Sequence, residues 1–374
     1  MKIVIIGTAY PHRGGIAHFI GLLFRNLQLR GHTVTLFSFS RQYPSLLFPG
    51  KTQMETGPDP LNTPSQPVLD SINPFSWIRV GLRVRRLDPD LIIFKYWLPF
   101  FAPAFGTISR IASRRRATRV LFICDNVVPH EKRPGDRLLT RYALRKEDRY
   151  IVMSASVEKD LLHLLPRARY RLVQHPVYEF FQGRFSKAEA RLRLGLPDRP
   201  TVLFFGYIRP YKGLQTLLDS LQIVRQQMDL HLLVAGEFYD DKNKYLDQID
   251  RLGLHEAVTV LDQYISNDQV GLYYAASDVV ALPYLSATQS GIVQICYHYD
   301  KPVIATDVGG LPEVVHDGRT GFVVPANDSA AFAQALLRYY REKRETEFTG
   351  NVAEAKKEFS WERMAEAVEA LMNE

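Results

Sequence analysis

The sequence predicts an α/β protein made of two tandem doubly wound Rossmann-like domains, with a ligand site expected in the cleft between them. Three observations lead to this fold class. The chain has 374 residues, and a chain of this length is usually too long to fold around a single hydrophobic core. Short apolar runs alternate with segments of helical periodicity in both halves of the sequence. A stretch without that rhythm, at 175–200, separates the two halves.

The first half contains five apolar runs of strand length. A helical pattern between the first two repeats apolar residues from Ile16 to Leu27 and ends at Gly31. Near-continuous apolar strands separated by helices are typical of a parallel sheet covered on both faces. Residues 40–75 are rich in Pro, Ser, Asn and Gly, and we expect them to form a functional or mobile excursion on the N-terminal domain. The predicted strands are 2–7, 33–39, 91–97, 119–125 and 149–153.

The second half restarts the alternation after 175–200, which is therefore the best candidate for an interdomain linker. Helical patterns again separate the apolar runs, so a second parallel sheet is expected. The predicted strands are 201–205, 230–236, 257–261, 278–283, 301–306 and 321–324.

Composition and charge favour a cytoplasmic globular protein. Hydrophobic residues make up 46% of the chain, and Cys124 and Cys296 lie in apolar runs, as expected of core thiols in a reducing compartment. Neither the N-terminus nor 91–106 offers an uninterrupted apolar run suited to a signal peptide or a transmembrane helix. Residues 1–180 carry 27 Lys+Arg against 13 Asp+Glu, whereas 181–374 carry 20 against 27. Opposite net charges suggest two domains with different partners.

The segment FGYIRPYKGL, residues 205–214, joins a predicted strand to a predicted helix. Such a turn directs backbone N–H groups and the positive end of a helix toward a ligand. Arg209 and Lys212 add positive charge that suits an anion with several oxygens. The segment is not a Walker A loop, because no Ser or Thr follows Lys212. The alternative interpretation is a solvated turn with two ordinary surface cations.

Two further turns follow predicted strands. Gly14 and Gly15 open a predicted helix in a pattern that differs from the dinucleotide fingerprint, and they either approach an anion or allow close helix packing. A group of small or polar residues before the pattern at 292–299 forms another candidate anion- or hydroxyl-binding helix start. These residues are Thr288, Gln289, Ser290 and Gly291. Glu313 is expected at the same sheet edge, where an isolated carboxylate is usually a helix N-terminal charge.

These three elements, in their order and spacing, resemble the retaining glycosyltransferases with the GT-B fold (group 1, family 4 type). The resemblance covers nearly the whole chain, and PVIATDVGGLPEVVHDGRTGFVVP, residues 302–325, is its most specific motif. FSWERMAEAVEAL at 359–371 resembles the family's terminal helix, which crosses back onto the N-terminal domain. The resemblance implies an acceptor-side domain at 1–175 joined by helix 359–374, and a nucleotide-sugar-binding domain at 176–358.

The resemblance also implies roles for the candidate residues. Arg209 and Lys212 would bind the donor diphosphate and stabilise it as a leaving group, and Gly14 and Gly15 would close over it. Tyr264 lies where the family holds the nucleotide base. The residues that would contact the sugar and phosphates are Thr288, Gln289, Ser290 and Gly291.

The sequence departs from the family pattern in three respects. Thr288 and Cys296 stand where the family commonly has two glutamates, so Gln289 or Glu313 would have to contact the ribose and sugar hydroxyls. Tyr207 stands where the family's first cation usually follows the glycine.

The third departure is Asp125, which ends a predicted strand where the family often has a histidine facing the acceptor. A carboxylate there either accepts the acceptor hydroxyl's proton as a general base or starts the turn Asp125-Asn126. His130, five residues later, is interpreted as a loop residue or an acceptor-side contact rather than as a base.

The predicted function is a cytoplasmic, membrane-peripheral retaining glycosyltransferase acting on a lipid-linked or polysaccharide acceptor, in cell-envelope or exopolysaccharide glycan synthesis. Two alternatives stay open: a nucleotide-sugar epimerase on the same fold, and a non-catalytic nucleotide-sugar-binding partner. We expect no cofactor beyond the donor co-substrate, no essential metal and no nucleic-acid partner. Asp88-Pro89-Asp90 precedes a buried strand and is predicted to be a loop rather than a metal site.

The basic N-terminal half supports the membrane expectation. Residues 77–87 predict a helix with an apolar stripe beside several arginines, and 110–119 carries five arginines without an acid. A basic amphipathic helix with a tryptophan suits an anionic membrane surface. The alternative is that the stripe packs on the sheet and the arginines are solvated. The stripe comprises Trp77, Val80, Val84 and Leu87.

Overall fold

The computed structural model describes residues 1–44, 48, 52–55, 57, 61–113, 118–129 and 133–373. The chain divides into two compact units, described separately below. Unit 1 comprises Met1–Pro176 and Ser360–Glu374, and unit 2 comprises Val177–Phe359. The chain therefore contributes to unit 1 from both ends of its sequence.

Unit 1 is built on a parallel sheet with the strand order β3-β2-β1-β4-β5-β6-β7. Its strands are β1 (Lys2–Ile6), β2 (Thr33–Arg41), β3 (Gln66–Asp70), β4 (Leu91–Tyr96), β5 (Arg119–Cys124), β6 (Arg149–Val152) and β7 (Arg169–Leu172). Its first five helices are α1 (Gly15–Leu29), α2 (Pro74–Leu87), α3 (Ala102–Ala112), α4 (Asp136–Ala143) and α5 (Ala155–Leu164). The central strands β1, β4 and β5 are apolar almost throughout because helices cover both sides of the sheet.

Unit 2 contains a second parallel sheet with the order β10-β9-β8-β11-β12-β13. Its strands are β8 (Thr201–Phe205), β9 (His231–Ala235), β10 (Val258–Leu261), β11 (Val279–Leu282), β12 (Val303–Thr306) and β13 (Gly321–Val324). Its helices are α6 (Lys187–Leu194), α7 (Leu214–Arg225), α8 (Asn243–Arg251), α9 (Val270–Ala276), α10 (Gly291–His298), α11 (Leu311–Val314), α12 (Ser329–Arg341) and α13 (Glu345–Ala355). Because all neighbouring strands are parallel, their carboxyl ends meet at one edge of the sheet.

The last helix, α14 (Trp361–Asn373), packs on unit 1. The buried indole of Trp361 meets the ring of Phe19 edge to face, with 5.1 Å between centroids. Glu369 bonds to the guanidinium of Arg30 and to the imidazole of His32, at 2.6 and 2.9 Å. These contacts fix α14 against α1 and the loop that follows it.

The predicted fold class, two doubly wound α/β units, is confirmed, and the structure differs from the sequence analysis in three local details. Part of the expected excursion at 40–75 forms the edge strand β3, and ten of its other residues lie outside the described part of the chain. The expected linker at 175–200 contains helix α6, whose N-cap Ser186 accepts from the backbone of Glu189. The short edge strand β7 was not predicted. Within the described part of the chain, no helix is long and apolar enough to cross a membrane.

Candidate functional site

The loop after β8 is shaped by glycines that allow close backbone packing. Gly206 and Gly213 have φ of 92° and 70°, values that favour glycine. A Cβ on Gly213 would lie 1.8 Å from the carbonyl oxygen of Pro283, so this position tolerates no side chain. The short 3-10 turn Pro210–Lys212 leads into α7 through Gly213. The loop is thus held against the carboxyl end of β11.

Lys212 is a buried cation at this sheet edge. The residue is only 7% exposed, and its ammonium lies 5.7 Å from the ring centroid of Tyr284. Burial, together with the nearby charge of Arg209, lowers the pKa of Lys212 to about 7. Among the described residues, Lys212 forms no ion pair with a carboxylate. A buried ammonium beside a second cation favours an anionic ligand.

Arg209 is positioned by two tyrosines. Its guanidinium lies 5.1 Å from the ring centroid of Tyr239, on the loop after β9. Tyr239 stacks in turn on Tyr207, with 4.5 Å between centroids and an interplanar angle of 26°. Cation–π contact of this kind orients a guanidinium without neutralising its charge. Tyr207, a departure from the family pattern, therefore supports the arginine two residues later, and sequence reasoning missed the partner Tyr239.

The segment before α10 packs against the glycine turn after β12. The backbone N–H of Gly310 donates to the carbonyl of Thr288 at 3.1 Å. Gly309 has a φ of 53°, and a Cβ on it would lie 1.7 Å from the carbonyl oxygen of Ala287. The hydroxyls of Tyr284 and Ser290 are 3.4 Å apart. The structure therefore brings together the Thr288–Gly291 segment and the Gly309-Gly310 turn.

The same sheet edge also unites this segment with the cationic loop. Ile292, in the first turn of α10, lies 3.1 Å from the position a Cβ on Gly206 would take. The backbone N–H of Leu285 donates to the carbonyl of Tyr211 at 2.7 Å. Two of the three sequence motifs thus form one backbone-rich, cationic surface at the carboxyl ends of β8 and β11.

The remaining unit 2 candidates lie at the rim of this edge. Tyr264 is half-buried on the loop after β10. Glu313 lies in the first turn of the short helix α11. That position agrees with a helix N-terminal charge as well as with a hydroxyl contact, so its role stays a prediction. Gln289 is half-buried beside Thr288.

In unit 1, the candidate glycines lie at the start of α1. Gly14, with a φ of 104°, is the N-cap, and Gly15 is the first helical residue. His18 in the first turn is half-buried, and desolvation lowers its pKa to about 3, so the imidazole is neutral. The helix start therefore has a neutral imidazole in its first turn and follows directly after the buried Arg13.

Asp125 directly follows β5 and pairs with a buried lysine that the sequence analysis missed. Its Oδ1 accepts from Nζ of Lys95, in β4, at 2.7 Å. Lys95 is 2% exposed, and its ammonium lies 3.7 Å from the ring centroid of Phe19. Desolvation lowers the pKa of Lys95, and the adjacent carboxylate opposes that shift. Asp125 therefore serves as a counter-ion, whatever else it does. His130 lies outside the described residues.

The expected membrane-facing stripe of α2 packs in the core instead. Val80 and Val84 are buried, and Trp77 and Leu87 pack against the same cluster. The indole N–H of Trp77 also donates to the carbonyl of Asp70 at 2.8 Å. The prediction that this stripe faces a membrane is wrong, because helix α2 uses it to cover the sheet. The arginines at 114–116 lie outside the described residues.

Asp88 and Asp90 form part of the turn between α2 and β4, as predicted. Asp88 caps α2 with a left-handed conformation, and Asp90 Oδ2 accepts from the backbone of Lys2 at 2.7 Å. Among the residues that the structure describes, no group of three His, Cys, Asp or Glu could hold a metal ion. The absence of an essential metal stays a prediction.

Comparison with protein families gives two matches that together span most of the chain. Residues 13–178 match the family model described as Glycosyltransferase Family 4, and residues 199–342 match that described as Glycosyl transferases group 1. The boundary between the two matches falls in the stretch that contains α6.

Individual proteins are similar over much of the chain. A D-inositol 3-phosphate glycosyltransferase of Saccharomonospora viridis is 30% identical over 303 residues, which cover 75% of this chain and 68% of that protein. An alpha-D-kanosaminyltransferase of Streptomyces kanamyceticus is 26% identical, over 53% of this chain and 52% of that protein. A D-inositol 3-phosphate glycosyltransferase of Paenarthrobacter aurescens is 30% identical over 50% of this chain, and the match spans only 46% of that relative's length.

Solved structures share the fold. HepE of Anabaena, in complex with UDP-glucose, matches with a TM-score of 0.76 at 18% identity, over 100% of both chains. The sucrose-phosphate synthase of Thermosynechococcus elongatus matches with a TM-score of 0.75 at 20% identity, over 100% of this chain and 98% of that one. At these identities the likeness shows the two-sheet GT-B architecture.

Proposed function

Because the chain belongs to the group 1 family of glycosyl transferases, we propose that it transfers a sugar from a nucleotide diphosphate sugar to a hydroxyl group. The observation that carries this proposal is the buried Lys212 beside Arg209, at a strand-to-helix turn lined by backbone. Both cations suit a diphosphate, whose charge grows as the bond to the sugar breaks. The solved structure of HepE with UDP-glucose supports the choice of donor class.

In the proposed reaction, unit 2 binds the donor and stabilises the leaving diphosphate. Arg209 and Lys212 would contact the phosphates, and the N-terminal end of α10 with Thr288–Gly291 would contact the sugar and phosphates. Tyr264 would contact the base, and Glu313 or Gln289 a ribose or sugar hydroxyl. The donor contacts expected of Gly14 and Gly15 stay predictions.

We propose that Asp125 accepts the proton of the acceptor hydroxyl, with Lys95 as its counter-ion. The ion pair holds the carboxylate in one orientation at the carboxyl end of β5. A general base needs a defined position relative to the proton that it removes. Retention of configuration at the transferred sugar is part of the same proposal, and the motif resemblance supports it.

For the acceptor, we propose a lipid-linked or growing polysaccharide chain, at the cytoplasmic face of a membrane. The net positive charge of the first half of the sequence supports such an acceptor, because anionic lipids attract basic surfaces. A small cyclitol phosphate is the second candidate acceptor. It is favoured by the similarity to D-inositol 3-phosphate glycosyltransferases.

A two-step experiment tests the proposal. Thermal unfolding with a panel of nucleotide sugars identifies the donor, because selective binding to the folded state raises the Tm. The selected donor is then incubated with candidate acceptors and the products are analysed by NMR, which reports both transfer and anomeric configuration. An epimerised sugar without acceptor would indicate the epimerase alternative. Binding without any turnover, in all acceptor mixtures, would indicate a non-catalytic protein.

A further inference from the structure

Helix α2 has a second apolar face, on the side opposite to its core-packing stripe. Phe75, Ile78 and Leu82 are 78%, 45% and 40% exposed. They repeat at spacings of three and four residues, so they lie along one side of the helix. Arg79 and Arg86 are exposed on the same side. We call these five residues the outer face of α2.

The outer face of α2 is not part of the hydrophobic core of unit 1. The inner side of α2 is filled by Val80, Val84 and Gly81, and a Cβ on Gly81 would lie 2.9 Å from Cβ of Ile111 in α3. The helix therefore already buries its share of apolar surface. Large apolar side chains grouped on an exposed surface commonly mark an interaction site.

The charged residues of helix α2 all have one sign. Helix α2 contains four arginines and no acidic residue. Arg83 hydrogen-bonds to Gln66 and lies over the ring of Phe37, so it is engaged within unit 1. Arg79 and Arg86 form no ion pair in the part of the chain that the structure describes. The face thus offers apolar contact together with free positive charge.

We propose that the outer face of α2 docks on an anionic lipid bilayer, with Phe75, Ile78 and Leu82 inserted among the acyl chains near the headgroups. This inference deepens the proposed function and rests on its lipid-linked acceptor. Arg79 and Arg86 would then lie at the level of the lipid phosphates, as in interfacial amphipathic helices. A second copy of this chain is disfavoured as the occupant, because two identical faces would bring arginine against arginine.

The test is flotation of the full-length protein with phosphatidylcholine vesicles, with and without phosphatidylglycerol, at low and high salt. We expect binding only to the anionic vesicles and weaker binding at high salt. Phe75→Ser with Leu82→Ser should abolish flotation, and Arg79→Gln with Arg86→Gln should lower the partition coefficient about tenfold or more. The matched control is Leu192→Ser with Arg193→Gln on α6 of unit 2, which should float like the wild type.

Each outcome is informative. The proposal would be overturned if the wild-type protein did not bind anionic vesicles, or if it bound neutral vesicles equally well. It would also be overturned if both outer-face variants bound as well as the wild type. Light scattering that shows a dimer lost in the Phe75→Ser/Leu82→Ser variant would overturn it as well. Circular dichroism checks that the variants fold. If Phe75→Ser/Leu82→Ser does not fold, the single variant Phe75→Ser is used in its place. Stabilisation by nucleotide sugars, measured on the same samples, keeps failure of the docking face separate from failure of the proposed function.

Discussion

The ammonium nitrogen of Lys95 lies 2.7 Å from Oδ1 of Asp125, and the two side chains are 2% and 13% exposed. The pair joins the carboxyl ends of β4 and β5 beneath α1, where Phe19 covers the lysine. Two charges removed from water in this way depend on each other, since each would be costly alone. Loss of Asp125 alone would therefore destabilise the folded protein, in addition to any effect on the proposed chemistry.

We predict that Asp125→Asn lowers the free energy of unfolding by about 3–5 kcal/mol, because it leaves the Lys95 ammonium buried without its carboxylate. The double variant Lys95→Met/Asp125→Leu should recover most of this loss, since it removes both charges. Urea denaturation measures the three values. The control is Glu354→Gln, which breaks the exposed pair with Lys357 and should cost less than about 1 kcal/mol. Similar costs for the buried and the exposed pair would contradict the burial argument.

The same variant tests the proposed base under conditions where it is folded. Asp125→Asn should lower turnover about 10²-fold or more, the usual scale of general-base catalysis, while donor affinity stays unchanged. Loss of donor affinity with normal turnover would instead assign Asp125 to donor binding.

We predict that Lys212→Ala nearly abolishes sugar transfer and weakens nucleotide-diphosphate binding. Removing one charge-assisted contact to the leaving group in a buried site should cost about 2–4 kcal/mol of transition-state stabilisation. Steady-state kinetics and calorimetric titration with the donor measure the two effects. Lys357→Ala, at an exposed lysine of the same unit, serves as the control. Near-normal turnover in Lys212→Ala would end the diphosphate assignment.

Donor binding should depend on pH through Lys212. Its pKa of about 7 in the free protein means that the side chain loses its proton as the pH rises above that value. Because the diphosphate binds the protonated form, the Kd should rise by up to about tenfold per pH unit above pH 7 and level off below it. UDP-glucose is a suitable probe because its diphosphate has no ionisation in this range. The variant Lys212→Arg, which keeps its charge, should lose this dependence. If the Kd of Lys212→Arg depended on pH as strongly as that of the wild type, the pH dependence would arise from another group.

The lowered pKa of Lys212 also means that this residue destabilises the unliganded folded protein. An unfolded lysine has a pKa near 10.5, so between pH 7 and 10.5 the unfolded chain binds more protons than the folded one. The stability contribution of Lys212 is therefore least favourable below pH 7 and improves as the pH rises. We predict that Lys212→Met raises the Tm at pH 6 and that the gain shrinks toward pH 10. A gain that does not change with pH would indicate a packing effect instead.

Gly309 should tolerate no side chain. Its φ of 53° opposes substitution, and so does the carbonyl oxygen of Ala287, which lies 1.7 Å from the position that a Cβ would take. We predict that Gly309→Ala displaces the Thr288–Gly291 segment and abolishes stabilisation by nucleotide sugars. Gly318→Ala is the matched control, because Gly318 has a φ of 69° but open space around it. It should cost only about 1 kcal/mol and leave binding intact. Equal effects at the two glycines would exclude the steric explanation.

Central elements could be predicted from the sequence, whereas edges and long-range pairs could not. Strands β1, β4 and β8 are nearly continuous apolar runs, which predict buried strands. Edge strands β3 and β7 are short and partly exposed, so their sequences QPVLD and RYRL lack that signal. The periodicity of the sequence correctly predicts helix α2. This helix has apolar residues on two sides, however, and periodicity alone does not show which side packs on the sheet.

In the candidate site, too, local features could be predicted from the sequence and long-range contacts could not. The cationic loop and the Thr288–Gly291 segment were predicted because they combine turn chemistry with local charge. Lys95 was missed because its carboxylate partner is 30 residues away in sequence and is brought close only by the pairing of β4 with β5. Tyr239 was missed for a similar reason, since it meets Arg209 across the edge shared by β8 and β9.

Because α14 packs on α1, unit 1 can be completed during synthesis on the ribosome only after unit 2 has been translated. All of unit 2 is translated between Phe19 and its partner Trp361. At the usual rates of chain elongation, translation of unit 2 takes about 10 to 40 s. The apolar side of α1 that α14 later covers is therefore exposed on the nascent chain for that time, as a target for chaperones. In a protein truncated before Trp361, this side of α1 would stay exposed permanently.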